Sequence, residues 1–231
     1  MTDRATIFAL SSAPGRAGVA VVRLSGPRAG EVLDRLAGPR PAPRRATLRP
    51  IRDPTTSALI DRVLLLWLPG PASFTGEDMA ELHLHGSRAV LAALFIALAR
   101  EPACRPAEPG EFARRAFDSG RIDLAEAEGL ADLIDAETEA QRRQALAQAD
   151  GALSRLYESW RARLIEATAL AEAAIDFSDE ADVSARALAD ARDSAAALRQ
   201  AITGHLDDGR RGEILREGFR VVLAGPPNVG K

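Results

Sequence analysis

Residues 122–176 contain no proline and only two glycines, Gly129 and Gly151. Because proline and glycine are the two strongest helix breakers, a stretch of this length that nearly lacks both is strongly biased towards helix. Apolar residues also recur every seven positions, at Leu146, Leu153, Trp160, Ala167 and Ala174. The pattern predicts a long amphipathic helix, and therefore a helical domain in this part of the chain.

The segment "DFSDEADVS" interrupts this helix, and Ser184 is expected to cap a second helix that continues to Leu206. Two helices of this length usually belong to a bundle, and a pair alone cannot enclose a core. The sequence therefore predicts an incomplete all-α helical domain over residues 122–217, with the missing helices supplied by further chain or by another copy.

The first 121 residues have a different pattern, in which short β-rich runs alternate with helical ones. Residues 79–86, "MAELHLHG", alternate strictly, and a proline-rich connector near residue 45 has room for one edge strand. Because there is no regular βαβ repeat, the fold class is predicted to be α+β. The expected strands are residues 6–10, 18–26, 59–70 and 79–86, and the expected helices are residues 28–38, 87–100 and a short one ending at Gly120.

Composition restricts the class of protein. The single cysteine, Cys104, excludes an internal disulfide and a cysteine-only metal site. The sequence has neither a secretory signal pattern nor a run of about 20 apolar residues, so we expect a cytoplasmic protein that does not enter a membrane. Basic residues outnumber acidic ones up to residue 121 and the reverse holds afterwards. The basic half could meet an anionic ligand or RNA, or its charges could simply be solvated.

The last seven residues, "GPPNVGK", match the phosphate-binding loop pattern G-x-x-x-x-G-K and follow an expected strand at residues 219–224. Backbone N–H groups of such a loop converge on phosphate oxygens, and Lys231 would add a positive charge. The hydroxyl residue and helix that normally follow are not in this sequence. We therefore expect residues 218–231 to be the start of a nucleotide-hydrolase domain, and the chain by itself not to bind nucleotide.

Three constellations in the first 121 residues could carry chemistry. Glu81, His83 and His85 share one face of their strand. This polar face could line a ligand site or could simply be solvated. The H-x-H pattern also allows a metal site. Arg23 lies between apolar neighbours, so it either faces water or meets a carboxylate. The residues alone predict that the arginines near the end of this half, Arg114, Arg115 and Arg121, are ordinary surface residues.

Taken together, several stretches resemble one family, the MnmE (TrmE) tRNA-modifying GTPases. The resemblance rests on residues 5–26, on "PGPASFTGEDMAELHLHG" at 69–86, on residues 105–136, on "AAIDFSDE" at 173–180 and on the terminal "GPPNVGK". These segments run in the family's order and cover essentially the whole chain.

The resemblance implies that residues 1–121 form a folate-binding domain similar to aminomethyltransferase domains. It also implies that this domain forms the homodimer. It implies that residues 122–217 belong to a helical domain and that a truncated Ras-like GTPase domain begins at residue 218. With an MnmG-type flavoprotein, the family uses 5-formyl- or 5,10-methylene-tetrahydrofolate to modify C5 of the wobble uridine of tRNA. Its GTPase domain uses GTP, Mg²⁺ and K⁺.

By position in the motifs, the family's folate contacts correspond to Arg23, Glu81 and Arg121, where Arg121 replaces a lysine that is frequent in the family. The nucleotide contacts correspond to Asn228, Val229, Gly230 and Lys231, and Asn228 is also the residue linked to K⁺. No catalytic residue is expected in this chain. Two alternatives remain: a dimerisation module without a small ligand, and a metal enzyme that uses His83 and His85.

Overall fold

A computed structural model describes residues 5–102, 104–176, 181–207 and 211–218, together with residues 222, 224 and 225. It divides the chain into two compact units, Met1–Ile122 and Asp123–Lys231.

The first unit is built on a mixed six-stranded sheet with the strand order β3-β4-β5-β2-β1-β6. All neighbouring strands are antiparallel except β1 and β6, which run parallel. The predicted edge strand is confirmed as β3, and β6 was not predicted. The strands are β1 (Thr6–Leu10), β2 (Ala17–Ser25), β3 (Thr47–Arg52), β4 (Leu59–Leu68), β5 (Met79–Gly86) and β6 (Cys104–Pro106).

One face of the sheet carries the hydrophobic core of this unit. The helices α1 (Ala29–Ala37) and α2 (Arg88–Ala99) contribute to the core with Leu33 and Leu94, which are fully buried. The N-cap of α2 is Ser87, as expected, and its hydroxyl accepts a hydrogen bond from the N–H of Val90 at 3.1 Å. The strand side chains in this core include Val22, Leu24, Val63, Leu65, Leu82 and Leu84.

The opposite face, which we call the open face, receives the alternate side chains of the same strands. Two neighbouring cross-strand rows lie on it, because residues paired across a sheet point to the same side. Leu48, Leu64, His83 and Val21 form one row, and Leu66, Glu81, Arg23 and Ala9 form the other. Leu48 is 68% exposed and Leu64 is 41% exposed, so part of this face is apolar and solvent-accessible.

The second unit is helical, but its first part is not the single long helix that the sequence predicts. The stretch is divided into α4 (Leu124–Asp135), α5 (Glu139–Ala149) and α6 (Ala152–Asp176). Thr138 starts α5 with a capping box shared with Gln141, and Gly151 turns the chain before α6 with φ of +79°. Gly129 lets α4 approach α5 closely, since a Cβ there would lie 2.5 Å from the N of Ala149.

The helices α6 and α7 (Ala181–Leu206) pack against each other, and the Trp160 and His205 rings meet with their centroids 5.3 Å apart. The expected cap at Ser184 is wrong, because α7 begins earlier. The Ser184 hydroxyl instead donates to the carbonyl of Ala174 in α6 at 2.7 Å. A short helix, α8 (Arg211–Glu217), is joined to α4 by an ion pair between Arg216 and Asp132 at 2.9 Å.

None of the helices in the described ranges combines the length and apolar character needed to cross a bilayer.

Candidate functional site

The predicted ligand residues Arg23 and Glu81 meet at the centre of the open face. They are paired neighbours on β2 and β5, and Arg23 Nε donates to Glu81 Oε1 at 2.7 Å. The Arg23 side chain is 40% exposed and that of Glu81 is 16% exposed. Of the two environments predicted for Arg23, water or a carboxylate, the structure has the carboxylate.

Both partners of this ion pair keep hydrogen-bonding capacity for a ligand. Within the described part of the chain, Nη1 and Nη2 of Arg23 make no hydrogen bond to protein, although each carries N–H donors. Oε2 of Glu81 lies 3.3 Å from Nε2 of His83, and each carboxylate oxygen can accept more than one hydrogen bond. The pair is flanked by Ala9 and Leu66 in its own row, so charged groups sit beside an apolar surface.

One end of the open face is bordered by residues 69–78, which connect β4 to β5 and which we call the 69–78 loop. Thr75 is fully buried, and its hydroxyl lies 2.7 Å from the hydroxyl of Ser25, the last residue of β2. Ser25 also donates to Oε2 of Glu77 at 2.8 Å. Since Ser25 is two residues beyond Arg23 on the same strand, these bonds hold the loop next to the Arg23–Glu81 pair.

Arg115 anchors the same loop from α3 (Glu111–Asp118), and the prediction that it is a surface residue is wrong. Its side chain is only 5% exposed. Nη1 donates to Oε2 of Glu77 at 2.9 Å, and Nη2 donates to the carbonyl of Ala5 and to Oε1 of Glu111, both at 2.9 Å. One arginine thus ties a helix, the start of β1 and the 69–78 loop together.

Glu111 is held by a second arginine as well. Nη1 and Nη2 of Arg105 donate to its two oxygens at 2.8 and 2.7 Å, a bidentate arrangement. These bonds from Arg105, together with those from the N–H of Glu108 and from Arg115, lower the pKa of Glu111 to about 2, against the opposing effect of burial. The carboxylate therefore stays charged across the physiological range. In contrast, Arg114 is exposed, as predicted, and lies 3.6 Å from the equally exposed Glu108.

Arg121, the third predicted folate residue, lies just after α3 and is exposed. Its backbone N–H donates to the carbonyl of Ala116 at 2.8 Å, and its Cγ packs beside Gly76 of the 69–78 loop. Its guanidinium has no hydrogen-bond partner among the residues that the structure describes. Two of the three predicted residues are therefore in direct contact, and the third borders the loop that flanks them.

The two histidines of the H-x-H strand are each engaged by a carboxylate. His83 contacts Glu81, and Nδ1 of His85 lies 2.8 Å from Oδ1 of Asp61. Among the described residues, no group of three or more His, Cys, Asp or Glu side chains is arranged to hold a metal ion. This arrangement gives no support to the metal-enzyme alternative.

Cys104 lies half-buried in β6, and burial, together with the negative charge of Glu101, raises the pKa of its thiol to about 11. Such a thiol is a poor nucleophile at neutral pH.

The predicted nucleotide residues Asn228, Val229, Gly230 and Lys231 lie outside the described residues, as does most of the strand expected at 219–224.

Two family models match the chain. That of the GTP-binding protein TrmE N-terminus matches residues 6–121, and that of the MnmE helical domain matches residues 124–223.

Close relatives are found among curated proteins. A tRNA modification GTPase MnmE from Methylobacterium sp. (strain 4-46) is 62% identical over 100% of this chain and 53% of its own length. Proteins of the same name from Methylorubrum populi and Parvibaculum lavamentivorans are 65% and 59% identical over 98% of this chain, and over 51% and 52% of their own lengths. The chain thus spans about half the length of the curated relatives it matches.

Proposed function

The chain belongs to the MnmE (TrmE) family and corresponds to its N-terminal region, and from this premise we propose that residues 1–121 bind a reduced folate and form a homodimer. The observation that carries the proposal is the Arg23–Glu81 pair on the open face, whose two members keep donors and acceptors that no described residue satisfies. Arg121, at the border of the 69–78 loop, is proposed as the third contact.

The chemistry of these groups suits a folate. A pterin ring presents adjacent N–H donors, which match the two oxygens of the Glu81 carboxylate. It also presents ring acceptors, which match the Nη donors of Arg23 that have no partner among the described residues. The neighbouring Ala9 and Leu66 offer apolar contact to the faces of the ring system. Arg121, with no protein partner in the described residues, suits a carboxylate of the glutamyl tail. The proposed ligands are 5-formyl- and 5,10-methylene-tetrahydrofolate.

Calorimetric titration with 5-formyltetrahydrofolate tests the site. We expect saturable binding to the wild-type chain and a loss of at least about tenfold in affinity for Glu81→Gln, because a charged hydrogen-bond acceptor is removed. Glu31→Gln is the matched control, since Glu31 is an exposed glutamate on α1, which packs on the other face of the sheet. Unchanged affinity in Glu81→Gln, or an equal loss in Glu31→Gln, would remove the assignment.

The apolar part of the open face supports the proposed homodimer. Leu48 and Leu64 are adjacent, exposed and in the same row as His83. Burying such side chains against a second copy is favourable by roughly 25 cal/mol per Å² of apolar surface. Light scattering should therefore find a dimer for the wild type and a monomer for Leu64→Asp. Ile96→Asp is the control, because Ile96 is a comparably exposed residue on α2, which packs on the other face.

The rest of the proposal concerns the whole protein. Residues 122–217 would belong to a helical domain and residues 218–231 would begin a Ras-like GTPase domain. In this domain Asn228, Val229, Gly230 and Lys231 would contact GTP, with Mg²⁺ nearby and K⁺ at Asn228. The complete protein would act in the cytoplasm with an MnmG-type flavoprotein and use the folate's one-carbon unit to modify C5 of the wobble uridine of tRNA. GTP hydrolysis would need the remainder of that domain.

The exposed leucines also favour a second candidate, an assembly module without a small ligand. The two candidates differ in the titration: a dimer that shows no saturable folate binding would support assembly alone.

A further inference from the structure

The turn that follows α3 and the 69–78 loop meet at Gly76. The backbone of Gly76 has φ of +77°, and a Cβ at this position would lie 2.9 Å from Oγ and 3.0 Å from Cβ of Ser119. Real Cβ atoms almost never approach other atoms so closely. Only glycine therefore permits both the backbone conformation and the approach of Ser119.

The contact is fixed by a hydrogen bond on either side of Gly76. The Ser119 hydroxyl donates to the carbonyl of Thr75 at 2.8 Å, and Thr75 is in turn held by the Ser25 hydroxyl. Glu77, on the other side, is held by Arg115. The loop is therefore a rigid surface against which the turn rests, and a side chain at position 76 would displace the turn more easily than the loop.

Arg121 is the residue that such a displacement would move. Its Cγ lies 3.6 Å from the position of a Cβ on Gly76, and its backbone is tied to Ala116 at 2.8 Å. The guanidinium itself has no partner in the described part of the chain. Its location relative to the Arg23–Glu81 pair therefore depends on how the turn is seated on the loop.

We propose that Gly76 is a positioning residue, which seats the turn so that the Arg121 guanidinium meets the carboxylate end of a ligand held by Arg23 and Glu81. This inference rests on the proposed function and adds to it a residue that touches no ligand itself. It predicts that Gly76 affects affinity only through Arg121.

The test compares Gly76→Ala with Gly110→Ala. Gly110 has nearly the same backbone angle, φ of +73°, but a Cβ there would meet nothing within 4 Å. Both variants therefore place a side chain at a similar positive φ, and only the first pushes on the turn. In calorimetric titrations of the 231-residue chain with 5-formyltetrahydrofolate, we expect Gly76→Ala to bind about tenfold more weakly than wild type, and Gly110→Ala to stay within about twofold.

A double variant separates positioning from a general structural effect. Arg121→Gln alone should bind about tenfold more weakly, and adding Gly76→Ala to it should cost no further affinity, because the group being positioned is already gone. Equal losses in Gly76→Ala and Gly110→Ala, or a further loss in the double variant, would overturn the inference and leave the folate site standing. If the wild-type chain itself shows no saturable binding, the proposed function fails and this inference fails with it.

Discussion

Replacing Arg115 by methionine tests whether the buried ion pairs hold the first unit together. The substitution keeps much of the side-chain volume but removes the cation that contacts Glu77 and Glu111. Glu111 retains its bidentate partner Arg105, whereas the Glu77 carboxylate retains, among the described residues, only the hydroxyl of Ser25 at 2.8 Å. Stripping one partner from a buried pair costs about 3–5 kcal/mol. Because one of the two carboxylates keeps a cation, we expect the lower limit, about 3 kcal/mol.

The neighbouring residue provides the control. Arg114 lies in the same helix, but it and Glu108 are each 62% exposed, and their charged atoms are 3.6 Å apart. Exposed pairs of this kind contribute between zero and about 1 kcal/mol. We therefore expect Arg114→Met to lower the free energy of unfolding by less than about 0.5 kcal/mol.

Urea unfolding, followed by tryptophan fluorescence, measures the difference. The chain has two tryptophans: Trp67, in the core of the first unit, and Trp160, in the second. In a Trp160→Phe background, the tryptophan fluorescence reports on the first unit alone. This background is needed because a chain with two units need not unfold in one step. If Arg115→Met and Arg114→Met differ by less than about 1 kcal/mol, the ion pairs of the buried arginine do not stabilise the first unit.

Three further predictions concern other residues. The pKa of Glu111 is lowered, chiefly by Arg105, from 4.5 to about 2, so its stabilisation is complete above pH 4.5 and is lost as the pH falls towards 2. Between pH 6 and pH 3 the urea stability of the wild type should therefore drop by about 2 kcal/mol more than that of Glu111→Gln, and parallel curves would contradict this. In the second unit, Gly129→Ala should lower the stability by about 2 kcal/mol in thermal unfolding, because its Cβ would strike the backbone of α5. Gly204→Ala, in α7 with nothing within 4 Å, should instead raise it by about 0.5–1 kcal/mol, and effects of the same sign would refute the packing argument. Cys104, with its thiol pKa raised to about 11, should react with a disulfide reagent at pH 8 at least about tenfold more slowly in the folded chain than in urea.

Alternation along the strands made most of the sheet predictable. The pattern of "MAELHLHG" placed Glu81 and His83 on one face and Leu82 on the other, which the structure confirms. The strand β6 is not predicted from the sequence, because three residues are too few to show the alternation of apolar and polar side chains. Its pairing with β1 depends on a contact across almost the whole unit.

The helical unit shows a different limit of sequence reasoning. The absence of proline predicts one helix, yet Thr138 and Gln141 form a capping box that starts a new one. The sequence contains both capping side chains, but the apolar repeat continues on both sides of them and therefore predicts an unbroken helix. Gly151, with its positive φ, marks the second break and was likewise visible as one of only two glycines.

At the candidate site, the sequence pointed to Arg23 and Glu81 but gave no sign of Arg115. An arginine in a short polar helix usually faces water, and nothing local distinguishes Arg115 from Arg114. Its hydrogen-bond partners are distant in sequence: Glu77 is 38 residues away and Ala5 is 110 residues away. Burial of a charged residue by distant partners is a tertiary property, so sequence periodicity could not reveal it.

The parallel pairing of β1 with β6 also has a consequence for synthesis. Thr6 is among the first residues of this sequence, yet its partner Cys104 is made almost a hundred residues later. Until β6 has been synthesised, one edge of β1 has unpaired N–H and C=O groups, which can form hydrogen bonds with other chains. The first unit can therefore complete its fold on the ribosome only when nearly all of it has been translated. A nascent chain stalled before residue 106 would present an open, aggregation-prone strand edge.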